Sequence, residues 1–118
     1  MTKTELIQET VDFYSADTSR RSIGDDGRCV YQQSLNGNMC AVGRCMTEEA
    51  INQNAWNSQT ADELEDLDSL LQPKYQGHSK AFWTFLQVFH DNGGNWDAQG
   101  ITDQGKQRVQ DLLIKYVN

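Results

Sequence analysis

The sequence lacks the long apolar runs and the proline-rich stretches that are typical of membrane-spanning and disordered proteins. It contains one proline in 118 residues, and no segment approaches the roughly 18 consecutive apolar residues of a membrane span. The N-terminal sequence Met-Thr-Lys-Thr-Glu has no apolar centre of the kind that signal peptides carry. We therefore expect a cytoplasmic protein with a single domain over residues 1–118, which is long enough to bury a modest core.

Positive charge is also scarce. Ten lysines and arginines stand against 17 aspartates and glutamates, which gives a net charge of −7 at pH 7 and disfavours nucleic acid or anionic membranes as partners. Most of the arginines nevertheless gather in the first half, and guanidinium groups donate paired hydrogen bonds to phosphates. One hypothesis is therefore a site for a nucleotide or other phosphate ligand, and the alternative is a set of salt bridges to nearby carboxylates. The residues of this hypothetical anion site are Arg20, Arg21, Arg28 and Arg44.

The common catalytic motifs are missing as well, since the chain contains no Walker loop, Gly-x-Gly-x-x-Gly, Gly-x-Ser-x-Gly or Cys-x-x-Cys. The three cysteines could bind zinc together with His78 or His90, but their spacing matches no common zinc finger. Cys45 precedes a predicted helix N-terminus, which would favour a reactive thiolate. We expect buried free thiols, no bound metal and no cofactor. The residues kept as possible functional groups are Cys29, Tyr31, Cys40, Cys45, His90 and Asp91.

The only clear β signal in the chain lies between the cysteines. The pair Asn36-Gly37 is typical of a type I′ turn, because both central residues of that turn need positive φ. A hairpin closed by this turn places Tyr31 opposite Val42, and its more apolar face is expected to pack under helices. That face carries Cys29, Tyr31, Leu35, Cys40 and Val42.

Capping residues and helical spacing of apolar side chains predict about five helices around this hairpin. The predicted N-caps are Thr2, Thr47, Thr60, Ser79 and Thr102. The helix after Ser79 has the widest apolar arc and is expected to be the most buried. That arc consists of Phe82, Trp83, Phe85, Leu86, Val88 and Phe89. The predicted fold class is α+β, mostly helical, with a small antiparallel sheet.

Two tryptophans and one acidic helix are the predicted protein-binding features. The helix after Thr60 carries leucines on one side and five carboxylates on the other, which form either a solvated face or a docking surface for a basic partner. Trp56 lies in a predicted loop, where its indole either covers the core or anchors a partner, and Trp96 lies in a second predicted loop. The residues assigned to protein binding are Trp56, Trp96, Glu65 and Asp66.

His90 ends the apolar arc of its helix. A hydrogen-bonded structural histidine is the simpler interpretation, and a general base is the alternative. The neighbouring Asp91 is not expected to contact it, because adjacent side chains of a helix point in different directions.

Three segments together resemble a group of small uncharacterised proteins from bacteriophages and bacteria. They are Arg20-Arg21-Ser22, the cysteine-containing residues 27–44, and the sequence Leu-Gln-x-x-His-Asp at residues 86–91, with Trp96 soon after. Similar proteins often continue Cys-Ala-x-Gly into a Pro-Asp helix start, which this chain replaces with Cys-Met-Thr-Glu. The resemblance covers about half of the chain, and it implies a shared fold and a phage-type origin without implying an activity.

These observations favour a small accessory protein that binds a host protein stoichiometrically. The first alternative is a nucleotide or phosphate-binding protein that uses the arginines. The second alternative is a cysteine-dependent enzyme.

Overall fold

The computed structural model describes residues 1–21, 38–54 and 66–116. These residues are mostly helical and contain four α-helices and one two-stranded antiparallel sheet, which confirms the α+β class. The predicted count of about five helices is wrong for these ranges, and no helix within them is long and apolar enough to cross a lipid bilayer. The elements are α1 Lys3–Ala16, α2 Glu48–Asn54, α3 Lys80–Asp91, β1 Trp96–Asp97, β2 Gly100–Ile101 and α4 Asp103–Lys115.

The chain divides into two compact units. Unit 1 consists of Met1–Arg20 and Asn92–Asn118, and unit 2 consists of Arg21–Asp91. The single domain expected from the sequence stays a prediction.

Each of the four described α-helices begins at a predicted cap. The side-chain oxygens of Thr2, Thr47, Ser79 and Thr102 accept the amide proton three residues further on, at 3.1–3.2 Å. Thr2 also donates its own amide proton to the carboxylate of Glu5, which completes a capping box. These bonds satisfy amide groups that a helix N-terminus leaves without an internal acceptor.

The predicted helix after Thr60 is not an α-helix where the structure describes it. Its cap and the residues up to 65 lie outside the described residues, and Leu67–Leu70 forms a single 3₁₀ turn. Asp66 precedes this turn with a φ of 47°, a left-handed conformation that interrupts a right-handed helix. Leu67 and Leu71 are nevertheless buried, so two of the predicted leucines still face the interior.

The predicted central hairpin falls largely outside the described residues, including its turn at residues 36–37. The prediction of its second strand is wrong beyond Cys40, because residues 41–42 form a turn and Gly43–Cys45 forms a 3₁₀ helix. The carbonyl oxygen of Cys40 accepts a hydrogen bond from the amide of Arg44 at 2.9 Å. A backbone closed by such a local bond is not extended, so Val42 does not lie on a strand as predicted.

The sheet of the described residues lies instead where the sequence indicated a loop. Trp96 pairs with Ile101 and Asp97 pairs with Gly100 in antiparallel register. Gly100 has a φ of 122°, and a Cβ atom there would lie 2.7 Å from Ser15 Oγ. The Ser15 hydroxyl oxygen accepts the amide proton of Ile101 at 3.0 Å. Glycine is therefore required at position 100, and the sheet is tied to the C-terminal end of α1.

Unit 1 follows the predicted pattern of its first helix. The buried residues of α1 are Leu6, Ile7, Thr10, Val11 and Tyr14. The ring of Tyr14 lies 6.0 Å from that of Trp96 in an edge-on arrangement. A Cβ atom on Gly105 would lie 2.5 Å from the carbonyl oxygen of Asn95, so glycine permits the first turn of α4 to approach this backbone.

Unit 2 joins two of its loops by an antiparallel bridge between Met46 and Leu71. Two backbone hydrogen bonds of 2.9 Å flank this bridge and connect residues 45–47 to residues 70–72. Its buried hydrophobic residues are Cys40, Ala41, Val42, Cys45, Met46, Ala50, Ile51, Leu67, Leu71, Tyr75, Phe82, Trp83, Leu86 and Phe89.

Candidate functional site

Helix α3 buries four of the six residues of its predicted apolar arc and exposes the other two. The four buried residues are Phe82, Trp83, Leu86 and Phe89. Phe85 and Val88 belong to the predicted buried arc, yet they are 44% and 59% exposed. Gln87 and His90 are buried together with the rest of the arc. The inward orientation predicted for Phe85 and Val88 is therefore wrong, and the helix exposes two apolar side chains while it buries two polar ones. Burial of polar side chains is tolerated only when they are hydrogen-bonded. Gln87 and His90 therefore need hydrogen-bond partners in the interior.

Those partners form one cluster at the C-terminal end of α3. His90 Nδ1 lies 2.7 Å from Asp91 Oδ1, and Gln87 Nε2 donates to the same carboxylate oxygen at 2.7 Å. Gln87 Nε2 also lies 3.3 Å from His90 Nδ1. Because an ionised carboxylate only accepts hydrogen bonds, we assign the proton to His90 Nδ1, where it points at Asp91 Oδ1. With that proton in place, the 3.3 Å approach of Gln87 Nε2 to His90 Nδ1 is a contact between two donors and not a hydrogen bond.

The contact between His90 and Asp91 corrects the expectation that these neighbours point apart. Asp91 is the last residue of α3, so no further helical turn confines its side chain. The general i, i+3 and i, i+4 rule describes helix interiors, and here it fails at a helix end.

Burial lowers the pKa of His90 below its ordinary value of 6.5, because the interior does not hydrate an imidazolium ion. The carboxylate of Asp91 opposes this shift, and the positive charge of Arg21 adds to it. His90 is therefore neutral at pH 7, with a lone pair on Nε2. A neutral imidazole oriented by a carboxylate is an arrangement that also serves in catalytic and metal-binding sites, but the ring of His90 is fully buried.

The cluster also holds the cysteine-containing loop. Gln87 Oε1 accepts the amide proton of Val42 at 3.2 Å, and Cys40 Sγ accepts the amide proton of Gly43 at 3.3 Å. The thiols of Cys40 and Cys45 are fully buried, which confirms the expected burial for these two. The other candidates in this part of the sequence, Cys29 and Tyr31, lie outside the described residues.

Arg21 completes the cluster from a third segment. Its Nε donates to the carbonyl oxygen of His90 at 2.9 Å, and its Nη2 donates to that of Asp91 at 3.1 Å. The side chain of Asn38 donates to the carbonyl oxygen of Arg21 at 3.1 Å. A cation at a helix C-terminus satisfies carbonyl groups that have no internal donor and complements the helix dipole. The guanidinium group therefore acts as a C-terminal cap of α3.

The three segments that carry the resemblance thus meet in one place. The arginine-rich lead-in contributes Arg21, the Cys-Ala-Val-Gly segment contributes the amide of Val42, and residues 86–91 contribute the three polar side chains. These contacts span 45 to 70 residues of sequence. Sequence reasoning singled out His90 and Asp91 but missed Gln87, for which the i, i+4 spacing to Asp91 was the available signal.

The other predicted arginines have separate contacts. Arg20 belongs to unit 1, where its Nη1 donates to the carbonyl oxygen of Phe13 at 2.9 Å and its guanidinium lies 4.7 Å from the Phe13 ring centre. Arg44 belongs to unit 2 and donates to the hydroxyl of Tyr75 at 3.4 Å. Arg28 lies outside the described residues. The anion site formed by all four arginines stays a prediction.

The predicted protein-binding residues also lie in different surroundings. Trp96 is buried and packs on Tyr14, which leaves little of its indole for a partner. Asp66 is exposed, while Trp56 and Glu65 lie outside the described residues. Within the described ranges no three His, Cys, Asp or Glu side chains are placed to hold a metal ion.

No protein-family model, curated protein or solved structure matches this chain. The candidate site is therefore defined by its geometry alone. Its interior part is the hydrogen-bonded cluster around Gln87, which fixes how α3 is turned. Its outer part is the opposite side of α3, where Phe85 and Val88 can be buried against another macromolecule.

Proposed function

We propose that this protein is a small phage-type accessory protein that binds a host protein stoichiometrically, and that the outward side of α3 is the binding surface. We call this surface the α3 face and define it by four exposed or half-exposed residues. They are Ala81, Thr84, Phe85 and Val88. The observation that carries the proposal is the exposure of Phe85 and Val88 on a helix that buries Gln87 and His90.

The exposure of Phe85 and Val88 matters because the protein forgoes the stability that their burial would contribute. Burial of a phenylalanine or valine side chain contributes about 1.5–3 kcal/mol, and α3 keeps Phe85 and Val88 exposed while it buries Gln87 and His90. The hydrogen bonds of the interior cluster hold α3 in this orientation. Adjacent exposed apolar side chains on one helix are a common form of binding surface, and aromatic side chains are enriched at the centre of such interfaces.

The charge of the protein suggests the chemistry of the partner. With a net charge of −7, the protein favours a partner whose apolar recess is bordered by basic residues. The full burial of Cys40, Cys45 and His90 fits binding better than turnover, because substrates would not reach these groups in the folded protein. The motif resemblance supports the phage-type origin and a bacterial host as the source of the partner.

Site-specific photo-cross-linking tests this proposal. A photoreactive phenylalanine analogue replaces Phe85 in one variant, and it replaces Ile114 of α4 in the matched control. Ile114 is an equally suitable position because it is 73% exposed. In host cells, position 85 should give one discrete adduct that is lost when Val88→Asp is added. The variants with the analogue at position 85 and at position 114 should both retain the unfolding temperature of the unmodified protein.

Two results would contradict the proposal. One is the absence of any adduct from position 85, and the other is the same set of adducts from positions 85 and 114. The first would mean that the α3 face does not contact a host protein, and the second would mean that exposure alone produces the cross-links.

A further inference from the structure

The two charged ends of α3 are placed against the helix dipole. Lys80 is the first residue of α3 and Asp91 is the last. Since a helix N-terminus is partly positive and its C-terminus partly negative, a cation at the start and an anion at the end are each unfavourable. Lys80 is exposed, and the side chain of Asp91 is 25% exposed. Both charges are therefore accessible to a partner that carries the opposite polarity at each end.

These charges also lie on one side of the α3 face. The spacing between Lys80 and Asp91 is 11 residues, which is about three helical turns, and Thr84 lies between them on the same side. Phe85 and Val88 lie next to this line, and the α3 face between the two charges is itself uncharged. The helix thus presents an apolar centre with the ammonium group of Lys80 at one end. At the other end lies the carboxylate of Asp91, with the guanidinium group of Arg21 bonded to the backbone of the same turn.

This pattern is complementary to itself. When two identical helices pack antiparallel about a twofold axis, the same side of each helix faces its counterpart. An axis between Phe85 and Val88 packs Phe85 of one copy against Val88 of the second copy. At a rise of about 1.5 Å per residue, Lys80 of one copy then lies within about 3 Å, along the axis, of Asp91 of the second copy. A parallel pair would place like charges together.

We infer that the α3 face also binds a second copy of this chain, as an antiparallel pair of α3 helices with reciprocal Lys80–Asp91 contacts. Each charge then lies near the helix end of the second copy that its sign favours. The inference rests on the same surface as the proposed function, so the second copy occupies this surface until a host protein displaces it.

The contact is small, which fits displacement. A helix of 12 residues is about 18 Å long, and such a pair buries less than the roughly 800 Å² per partner of stable complexes. The net charge of −7 on each copy adds repulsion. We therefore expect a dissociation constant on the order of 100 μM, which is weak beside a specific host complex.

Sedimentation velocity of the purified protein, from about 10 μM to about 1 mM around this expected constant, tests the inference. The unmodified protein should shift from monomer to dimer over this range. The double variant Phe85→Ser, Val88→Ser should remain monomeric, whereas Ile114→Ser should dimerise like the unmodified protein. Lys80→Glu should weaken dimerisation at least tenfold, because it places two negative charges together. Lys106→Glu makes the same change in net charge on α4 and should have little effect.

The outcomes separate this inference from the proposed function. A monomer at every concentration overturns the second-copy inference, and it leaves the cross-linking result at position 85 as the measure of host binding. A dimer that is equally sensitive to Ile114→Ser or to Lys106→Glu also overturns it, because the contact then lies elsewhere. A dimer with the expected sensitivities but no host adduct supports self-association and counts against the proposed function.

Discussion

Two glutamine–aspartate pairs of this protein share one local pattern and differ in their surroundings. In α1, Gln8 Nε2 donates to Asp12 Oδ1 at 2.9 Å, and in α3, Gln87 Nε2 donates to Asp91 Oδ1 at 2.7 Å. Both pairs have i, i+4 spacing. The first pair is exposed, so water competes for its groups, whereas Gln87 is buried and also bonds the amide of Val42. A hydrogen bond with this spacing therefore contributes little stability in α1, whereas in α3 it belongs to a buried network that connects the helix to the cysteine-containing loop.

Different interactions consequently determine which residues are buried in the two helices. The buried side of α1 is the stripe that its sequence predicts. Its one buried polar residue, Thr10, donates to the carbonyl oxygen of Leu6 at 2.8 Å within the same helix. The buried side of α3 includes Gln87 and His90, because their hydrogen-bond partners lie inside unit 2. Hydrophobic periodicity determines the orientation of a helix only when no buried polar network opposes it. The predictions below separate these two cases.

The largest difference in stability between matched variants of α1 and α3 is expected when the side-chain amide of Gln8 or of Gln87 is removed. We predict that Gln87→Leu lowers the free energy of unfolding by about 2–3 kcal/mol, because the amide of Val42 and the carboxylate of Asp91 lose a buried partner. The matched variant Gln8→Leu should change it by less than about 0.5 kcal/mol. Urea unfolding followed by tryptophan fluorescence measures both values. Equal losses in the two variants would show that the buried network does not determine the orientation of α3.

The second prediction concerns pH. The pKa of His90 is lowered in the folded protein, so the unfolded chain binds a proton more readily. Stability should therefore be fully present above the ordinary histidine pKa of 6.5 and should fall as the pH decreases below that value. The slope for one proton is at most about 1.4 kcal/mol per pH unit. Urea unfolding between pH 7.5 and pH 5.5 measures it.

Two variants identify the histidine that is responsible for this slope. His90→Asn should be less stable at pH 7.5 and should lose most of the pH dependence. His78→Asn should retain that dependence, because His78 lies outside the cluster of Gln87, His90 and Asp91. A slope that survives His90→Asn would assign the proton uptake to another group.

The third prediction compares neighbouring arginines. Arg21 donates two hydrogen bonds to the last carbonyl groups of α3, and Arg20 is exposed with one carbonyl contact and one ring contact. Arg21→Ala should lower the free energy of unfolding by about 1–2 kcal/mol, and Arg20→Ala by about 0.5 kcal/mol. Hydrogen exchange of the last turn of α3 should accelerate only in Arg21→Ala. If phosphate and nucleotides stabilised the unmodified protein no more than they stabilise Arg20→Ala and Arg21→Ala, the predicted anion site would lose support from both residues.

The sequence predicted those features that depend on neighbours along the chain. All four described N-caps and the buried stripe of α1 were predicted because each depends on residues within one or two helical turns. Four residues of the apolar arc of α3 are buried as predicted, but the exposure of Phe85 and Val88 was not predicted. The burial of Gln87 was also missed, since its hydrogen bond joins it to an amide 45 residues away. The strand beyond Cys40 was predicted wrongly because β propensity and alternation do not reveal that the carbonyl of Cys40 bonds the amide of Arg44.

The sheet of residues 96–101 illustrates the same limit. Its two strands have two residues each, which is too short for alternation of polar and apolar residues to be detected. The hydrogen bond between the amide of Ile101 and Ser15, next to Gly100, spans 86 residues of sequence. Such contacts determine where a short sheet forms, and no local pattern contains them.

The smallest expected effects belong to the helix caps, and they compare the same two helices once more. Both capping residues are exposed, but the hydrogen bond that Ser79 accepts at the start of α3 is part-buried, whereas the one that Thr2 accepts at the start of α1 is exposed. Ser79→Ala should lower the free energy of unfolding by about 1 kcal/mol, and Thr2→Ala by about 0.5 kcal/mol, because water replaces an exposed cap more readily than a buried one. Thermal unfolding followed by circular dichroism resolves the two values. A larger loss in Thr2→Ala than in Ser79→Ala would mean that the capping box of α1, with its second bond from Thr2 to Glu5, matters more than burial, and the distinction between exposed and buried polar contacts would then not extend to the helix ends.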